Sequence, residues 1–249
     1  MERIFSNYCV YCLPSAGSSA AMFFPWAKLA AQNFRIKGIE YPGHGTRISE
    51  SLISQPLELI EDIANSVILD HQTHEQVILF GHSLGAGLLL HVAELLQTKS
   101  PKLPLALLVA SGRGSFSTST TRASTEQIAN DTDLLSFLEK YEGIPESLLL
   151  NQDALNFFLP IIRNDIILNN ALLELNQQPP TTRTPLLVCS GRSDKNVSQE
   201  SLQGWKKYCD QWLGIDFFDG GHFYLNDSKN IKLILQSIKK HVAHAPTPI

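Results

Sequence analysis

One uninterrupted stretch, residues 76–97, constrains the fold of this chain more than any other. It reads QVILFGHSLGAGLLLHVAELLQ: a short apolar run, the pentapeptide GHSLG, and then an amphipathic helical pattern. A strand that turns directly into a helix between two glycines is typical of a β–turn–α unit, because glycine tolerates the sharp turn that side chains would obstruct. The stretch therefore predicts a strand at Gln76–Phe80 and a helix at Leu84–Gln97.

Short apolar runs and helical patterns alternate along most of the chain. The runs VILF, LALLVA and PLLVC are continuously apolar, as strands buried on both faces of a parallel sheet are. The alternation predicts an α/β domain with a mainly parallel sheet flanked by helices. The remaining predicted strands are Tyr8–Leu13, Phe34–Ile39, Leu103–Ala110, Pro185–Cys189 and Gly214–Phe218, and the remaining helices are Ala21–Gln32, Pro56–His71, Ser198–Trp212 and Asn226–His241.

The segment between the fourth and fifth strands, residues 111–184, breaks this alternation. It begins with SGRGSFSTSTTRAST, whose composition predicts a mobile loop. The rest is too long and too regular to be a linker, so we expect a helical lid at about 113–178, within a single domain of residues 1–249. A helical layer that only stabilises the domain is the alternative. Helices are predicted here at Thr125–Ala129, Asp131–Tyr141, Ser147–Leu150 and Asp153–Leu175.

Composition excludes several classes of partner and location. The net charge of −4 and the isoelectric point near 6.1 oppose broad binding to nucleic acids or anionic membranes, which requires a basic surface. They leave room for a small local basic patch. The N-terminal residues lack the apolar core and cleavage site of a signal peptide, and no apolar run reaches the roughly eighteen residues of a membrane span. We therefore expect a soluble, cytoplasmic protein.

Two of the four cysteines, Cys9 and Cys12, form a C-x-x-C that could indicate a redox or metal site. They lie within a predicted strand, however, where residues three apart point to opposite faces. No second cysteine pair with ligand spacing follows. Buried thiols in a reducing compartment are the better interpretation, and we expect no metal site.

Ser83 is the candidate nucleophile. The G-x-S-x-G of residues 81–85 stands between a strand and a helix, the context in which this motif exposes a serine hydroxyl at the edge of a sheet. The helix N-terminus beneath it favours developing negative charge. The alternative is a serine that only caps an ordinary helix. A cap accounts for the serine but not for glycines on both sides of it.

A serine nucleophile needs a base and an acid that orients the base, which follow it in the order Asp or Glu, then His. Asp194 comes shortly after the fifth strand, and His222, in FDGGHFYL, comes just after the sixth. The carboxyl ends of parallel strands meet at one edge of a sheet, so Ser83, Asp194 and His222 are predicted to lie together. An Asp194 that only caps a turn or helix is the alternative.

The other candidates fit this arrangement less well. Asp216 falls within a predicted strand, Asp219 is too close to His222 in the chain, and Asp165 belongs to the lid segment. His44 precedes the serine in the chain, so we assign it at most to the rim of the site. The remaining histidines sit beside the serine, in helices, at a helix end or in the tail: His71, His74, His82, His91, His241 and His244.

An oxyanion formed during acyl transfer needs two preorganised N–H donors. The backbone N–H after the nucleophile, that of Leu84, is the first expected donor. The second is expected from the loop LPSAGSSA after the first strand, where small residues let the backbone approach a substrate. We choose Ala16, with Ser15 and Gly17 as alternatives.

Several motifs, taken in order, resemble those of the type II, or external, thioesterases of nonribosomal peptide and polyketide synthesis. The similarity spans nearly the whole chain. It departs from the family pattern at Ser18, where the family has a second glycine, at Leu84, where it has methionine, at Glu142, where a glycine is usual, and in SGRGSF, which lacks a proline. The matching segments are PSAGSSA at 14–20, YPGHGTRISE at 41–50, GHSLGA at 81–86, GIP at 143–145, LPIIRND at 159–165, GRSD at 191–194 and GGHF at 220–223.

This resemblance implies an α/β-hydrolase fold with an inserted helical lid. It also implies hydrolysis of acyl groups from the phosphopantetheine arm of acyl or peptidyl carrier protein domains, with no metal or redox cofactor. We expect a monomer. Arg47 and Arg113 are candidate contacts to an acidic carrier or its phosphate, and the alternative for each is a solvated surface charge. An intracellular carboxylesterase of the same fold and a catalytically inactive binding scaffold are the alternatives. The acyl group removed does not follow from the sequence.

Overall fold

The structure is a computed structural model that describes residues 8–30, 33–116, 122–139 and 150–243. Residues 117–121 of the Ser/Thr-rich loop, the GIP segment at 143–145 and all but the last residue of the helix predicted at 147–150 lie outside these ranges.

A six-stranded sheet forms the centre of the described structure. Its strands are β1 (Tyr8–Leu13), β2 (Arg35–Gly38), β3 (Gln76–His82), β4 (Leu105–Ser111), β5 (Leu186–Gly191) and β6 (Trp212–Phe218). Every neighbouring pair is parallel, and the spatial order is β2-β1-β3-β4-β5-β6. The continuously apolar strands β3, β4 and β5 lie inside the sheet, so the predicted parallel architecture is confirmed.

Helices cover both faces of the sheet. One face packs against α2 and α3, which meet it through side chains such as Ile63 and Leu88, and the other packs against α1 and α8, through Trp26 and Ile234. The helices are α1 (Phe24–Leu29), α2 (Pro56–Asp70), α3 (Leu84–Lys99), α4 (Thr125–Ala129), α5 (Asp131–Glu139), α6 (Gln152–Leu175), α7 (Gln199–Gln203) and α8 (Ser228–Ala243).

Two predicted helices differ from the observed ones. The helix predicted over Ala21–Gln32 is divided into a 3₁₀ turn at Ala20–Phe23 and α1. Pro25 lies in the first turn of α1, where a backbone N–H would have no partner within the helix. The prediction of one helix over Ser198–Trp212 is wrong: α7 ends before Gly204, a 3₁₀ turn follows, and Trp212 already pairs with β5. Strand pairing overrides the local helical pattern there.

The segment between β4 and β5 contains α4, α5 and α6, where the sequence predicts a lid. These helices enclose an apolar cluster of their own that includes Leu134, Phe137 and Ile162. The longest, α6, also buries Leu168 and Leu172 in the core beside α3. The insertion is therefore packed onto the core through α6, and its opening and closing remain a prediction.

Cys9 and Cys12 belong to the apolar clusters on opposite faces of the sheet, as the strand pattern predicts. Burial raises the pKa of the Cys9 thiol to about 12, so it stays protonated at neutral pH. Within the described ranges, no helix combines the length and apolar character needed to cross a membrane.

Candidate active site

Ser83 sits on a strained turn between β3 and α3. Its φ of 52° is the only positive value among the described residues other than glycine, a conformation that costs about 1–3 kcal/mol. Its N–H donates to the Ser111 carbonyl of β4 at 2.9 Å, which holds the turn in place. Ser83 is partly exposed, whereas His82 and Leu84 on either side are buried. The turn thus presents the hydroxyl at the sheet edge.

The two glycines of the motif are required by close packing. A Cβ on Gly85 would lie 2.3 Å from the Leu13 carbonyl oxygen, and one on Gly81 would lie 2.4 Å from the Gly85 carbonyl oxygen. The Ser83 side chain makes no capping hydrogen bond to α3. The alternative that this serine only caps a helix is therefore wrong.

Asp194 and His222 form a buried hydrogen-bonded pair. His222 Nδ1 lies 2.8 Å from Asp194 Oδ2, and their side chains are 10% and 0% exposed, respectively. The other carboxylate oxygen of Asp194 accepts the Asn196 N–H at 2.9 Å, so the residue caps a turn and binds the imidazole at once. An ionised Asp194 requires the proton on Nδ1 of His222, which leaves Nε2 as an acceptor.

The loop that carries His222 folds back over the end of β5 toward β3. A Cβ on Gly191, at the end of β5, would lie 2.2 Å from the Gly221 carbonyl oxygen. The His222 ring reaches the residue before the serine, with 4.9 Å between the His82 and His222 ring centroids. Among the described residues, no hydrogen bond joins Ser83 Oγ to His222. Catalytic hydrogen bonds are commonly long before a substrate binds.

Replacing Gly191 with alanine is expected to lower kcat/KM by about tenfold or more, since its Cβ would displace the His222 loop by an ångström or so. Gly214→Ala is the matched control: its φ of 101° strains an alanine, but nothing lies within 4 Å of the added Cβ. Both variants should unfold at lower temperature, and only Gly191→Ala should lose activity when folded. Equal kcat/KM in the two folded variants would contradict this account of the loop.

His82 packs against His222 of the Asp194–His222 pair. The sequence does not predict a functional role for it. Its Nδ1 lies 2.9 Å from Ser111 Oγ, which lies 2.7 Å from the Tyr224 hydroxyl. Burial, and to a lesser degree the charge of His222, holds the pKa of His82 well below its ordinary value. A neutral His82 would not oppose a positive charge on His222.

The competing acids lie elsewhere. Asp219 is 74% exposed in its side chain and lies 3.6 Å from Arg192 and from Lys229. Asp216 hydrogen-bonds Ser237. Of the candidate acids, Asp194 alone contacts His222 within the described structure.

The two predicted oxyanion donors are unengaged. Within the described ranges, neither the Leu84 N–H nor the Ala16 N–H donates to a protein acceptor. The Gly17 N–H, one alternative, is already bound to Asp165 Oδ2 at 2.7 Å. Ser15 is buried, whereas Ala16 is partly exposed, so Ala16 stays the predicted second donor.

Two arginines were expected to contact a partner. For Arg113 this is wrong: the residue is 8% exposed, and its guanidinium donates to Asn169 Oδ1 on α6 at 2.9 Å and to the Ser83 carbonyl at 3.4 Å. Burial without an acidic partner lowers the pKa of Arg113 to about 10. Arg47 is already engaged in ion pairs with Glu50 and Asp62. Among the described residues, no three His, Cys, Asp or Glu side chains are grouped to hold a metal ion.

Comparisons with known proteins agree with this geometry. The profile of the thioesterase domain family matches residues 9–242. The chain is 28% identical over 219 residues to thioesterase PikA5 of Streptomyces venezuelae, covering 87% of this chain and 75% of that one. It is 24% identical over 220 residues to the gramicidin S biosynthesis protein GrsT of Aneurinibacillus migulanus, covering 88% and 84%.

Among solved structures, the type II thioesterase BorB from the borrelidin biosynthetic cluster superimposes with a TM-score of 0.79 at 27% identity, over 97% of this chain and 96% of that one. The structural neighbours are thioesterases of the α/β-hydrolase fold, as predicted for this chain. Since the family profile extends from β1 into α8 and includes the Ser83 turn, Asp194 and His222, this chain belongs to the thioesterase domain family.

Proposed function

We propose that this chain is a type II thioesterase that removes acyl groups from the phosphopantetheine arm of carrier proteins in nonribosomal peptide or polyketide biosynthesis. The observation that carries the proposal is the buried Asp194–His222 pair at the sheet edge where the strained turn presents Ser83. GrsT is named as a biosynthesis protein and BorB as a type II thioesterase from a biosynthetic cluster, and both names support the biosynthetic setting.

In the proposed reaction, Ser83 Oγ attacks the thioester carbonyl carbon while His222 Nε2 takes its proton. Asp194 holds the imidazole in the required tautomer and stabilises the positive charge that forms on it. The carbonyl oxygen becomes an oxyanion, and the N–H groups of Leu84 and Ala16 stabilise it.

Collapse of this intermediate breaks the C–S bond and releases the phosphopantetheine thiol, leaving the acyl group on Ser83 as an ester. A thiolate leaves more readily than an amine or an alkoxide because its conjugate acid has a pKa near 8.5, so protonation by His222 is less demanding. Water then attacks the ester with His222 as base, which frees the carboxylic acid and regenerates Ser83.

Carrier-bound substrates are expected to react with a kcat/KM at least about tenfold above that of the matching acyl-N-acetylcysteamine thioester, a difference of about 1.4 kcal/mol in transition-state stabilisation. The same acyl group is offered on a carrier protein, on N-acetylcysteamine and as a p-nitrophenyl ester. The thiol or phenol released is measured, with Ser83→Ala as the blank.

Each alternative makes a different prediction in this assay. A carboxylesterase would prefer the p-nitrophenyl ester and gain nothing from the carrier. A catalytically inactive scaffold would hydrolyse none of the three and would not be labelled at Ser83 by a serine-reactive phosphonate. Intact mass spectrometry of the acyl-enzyme with a panel of loaded carriers would then identify the acyl groups accepted.

A further inference from the structure

Asp165 of α6 holds the loop that carries the predicted second oxyanion donor. The residue is 2% exposed, and its Oδ2 accepts the Gly17 N–H at 2.7 Å. The same oxygen lies 3.0 Å from His44 Nε2. His44 is itself 4% exposed, so it is a buried partner of the lid helix and not the rim residue expected from the sequence.

The loop is shaped to be held in this way. The Ser18 N–H donates to the Ser15 carbonyl at 3.1 Å, closing a turn around Ala16 and Gly17. Gly17 has a φ of 69°, which the third residue of a type II turn requires. A Cβ on Gly17 would lie 2.7 Å from Ile162 Cγ1 of α6, so the loop lies directly against the helix.

The surroundings of His44 favour its cationic form. Its Nδ1 lies 3.0 Å from the Pro42 carbonyl oxygen and its Nε2 faces the Asp165 carboxylate, so both ring nitrogens face acceptors. Both can donate only in the imidazolium form. Burial opposes this charge, but the hydrogen bond and charge of Asp165, with smaller contributions from Pro42 and Glu40, raise the pKa of His44 above its ordinary value.

The Tyr41 ring also packs against the His44 ring, edge-on and with 5.9 Å between the ring centroids. Burial, and secondarily the charge of Asp165, raises the pKa of the Tyr41 phenol, so it stays neutral and donates to the Pro14 carbonyl at 3.2 Å. Pro14 begins the oxyanion loop. Tyr41 and Asp165 therefore hold the two sides of the turn that presents Ala16.

We infer that Asp165 is a positioning residue for the oxyanion loop and that His44 is its counter-charge, an inference that rests on the proposed function. A free carboxylate beside this loop would repel the oxyanion formed in the reaction. Paired with a His44 cation, Asp165 fixes the Gly17 N–H, and with it the adjoining Ala16 peptide, without adding net negative charge.

The test is the second-order rate constant for phosphonylation of Ser83, since the tetrahedral phosphonate needs the same N–H donors and no carrier protein. Asp165→Ala should slow labelling by about 10²-fold, the scale of losing one oxyanion donor. Hydrolysis of a p-nitrophenyl ester should show the same loss in kcat with little change in KM. Asn164→Ala is the matched control. Asn164 adjoins Asp165 in the chain, but its side chain donates to the Ile53 carbonyl and not to the oxyanion loop.

Asp165→Asn distinguishes the effect of holding the oxyanion loop from the effect of the carboxylate charge. It also provides the test if Asp165→Ala does not fold. Its amide oxygen can still accept the Gly17 N–H, but His44 loses its counter-charge. In the wild type, the pair is fully formed below the ordinary His44 pKa of 6.5 and is lost as pH rises through the raised pKa, so the labelling rate should fall over that interval. This alkaline decline should be absent from Asp165→Asn.

Labelling rates of Asp165→Ala and Asn164→Ala that match the wild type, or an alkaline decline that persists unchanged in Asp165→Asn, would overturn the inference. Phosphonylation uses no carrier protein, so it does not depend on the proposed carrier specificity. If the enzyme preferred oxygen esters, the proposed function would fail, but the labelling rates of these variants would still test the role of Asp165.

Discussion

Replacing Ser83 with alanine is expected to reduce kcat by about 10⁴-fold or more, with the fold unchanged. Loss of a nucleophile that acts with a paired histidine removes the covalent route, and only stabilisation by the oxyanion donors and binding remains. The Ser83 Oγ makes no capping bond to α3, so its removal leaves the helix start unaltered. Steady-state hydrolysis of an acyl-carrier substrate and a thermal unfolding curve measure the two halves of this prediction.

Ser83→Gly is the companion variant, because it removes the hydroxyl and also the strain at φ 52°. Glycine adopts this conformation freely, whereas alanine inherits the strain, and the greater flexibility of unfolded glycine offsets part of the gain. Ser83→Gly should therefore exceed Ser83→Ala in free energy of unfolding by about 1 kcal/mol. Wild-type turnover in purified Ser83→Ala would remove the nucleophile assignment, and equal stability of the two variants would show that the turn stores no strain.

The arrangement of Ser83, Asp194 and His222 could be predicted because it depends on chain order and strand polarity. Each residue follows an apolar run, and the ends of parallel strands meet at one edge whatever the details of packing. The contact between Asp194 and His222 spans 28 residues but joins turns after neighbouring strands, β5 and β6. The positions of Asp194 in GRSD and His222 in FDGGH, directly after these strands, are therefore enough to predict that the two residues lie near each other.

The contacts made by α6 could not be predicted in the same way. Asp165 and His44 are 121 residues apart, and their meeting depends on how the inserted helix lies across the sheet edge. The Ser/Thr/Gly-rich sequence around Arg113 predicts a surface residue, yet its side chain reaches inward to Ser83 and Asn169. No periodicity within either segment encodes these contacts, because they belong to the packing of separate elements.

These contacts also alter the expected character of the insertion. Asp165 and Asn169 are four residues apart on α6 and so share one face, which reaches the oxyanion loop directly and the Ser83 turn through Arg113. A helix that is bonded to both the oxyanion loop and the Ser83 turn cannot move far without disturbing the proposed oxyanion donors. We therefore expect α6 to act as a fixed support, and any opening of the lid to take place in other parts of the insertion.

Asp194→Asn is expected to lower kcat by about 10³–10⁴-fold while changing the size of the side chain little. Asparagine can place its NH₂ toward His222 Nδ1, and that nitrogen then accepts a hydrogen bond where in the wild type it donates one. The ring proton moves to Nε2, which can no longer accept the proton of Ser83. The loss should therefore appear in both acylation by thioesters and phosphonate labelling, since each needs the base.

Asp219→Asn is the matched control for this substitution. Asp219 lies three residues before His222 and was the rival acid, but its exposed carboxylate faces Arg192 and Lys229 at 3.6 Å. Such surface pairs contribute little, so kcat and thermal stability should stay close to the wild-type values. If Asp219→Asn lost activity and Asp194→Asn kept it, the acid would have to be reassigned to Asp219, despite the 2.8 Å contact between Asp194 and His222.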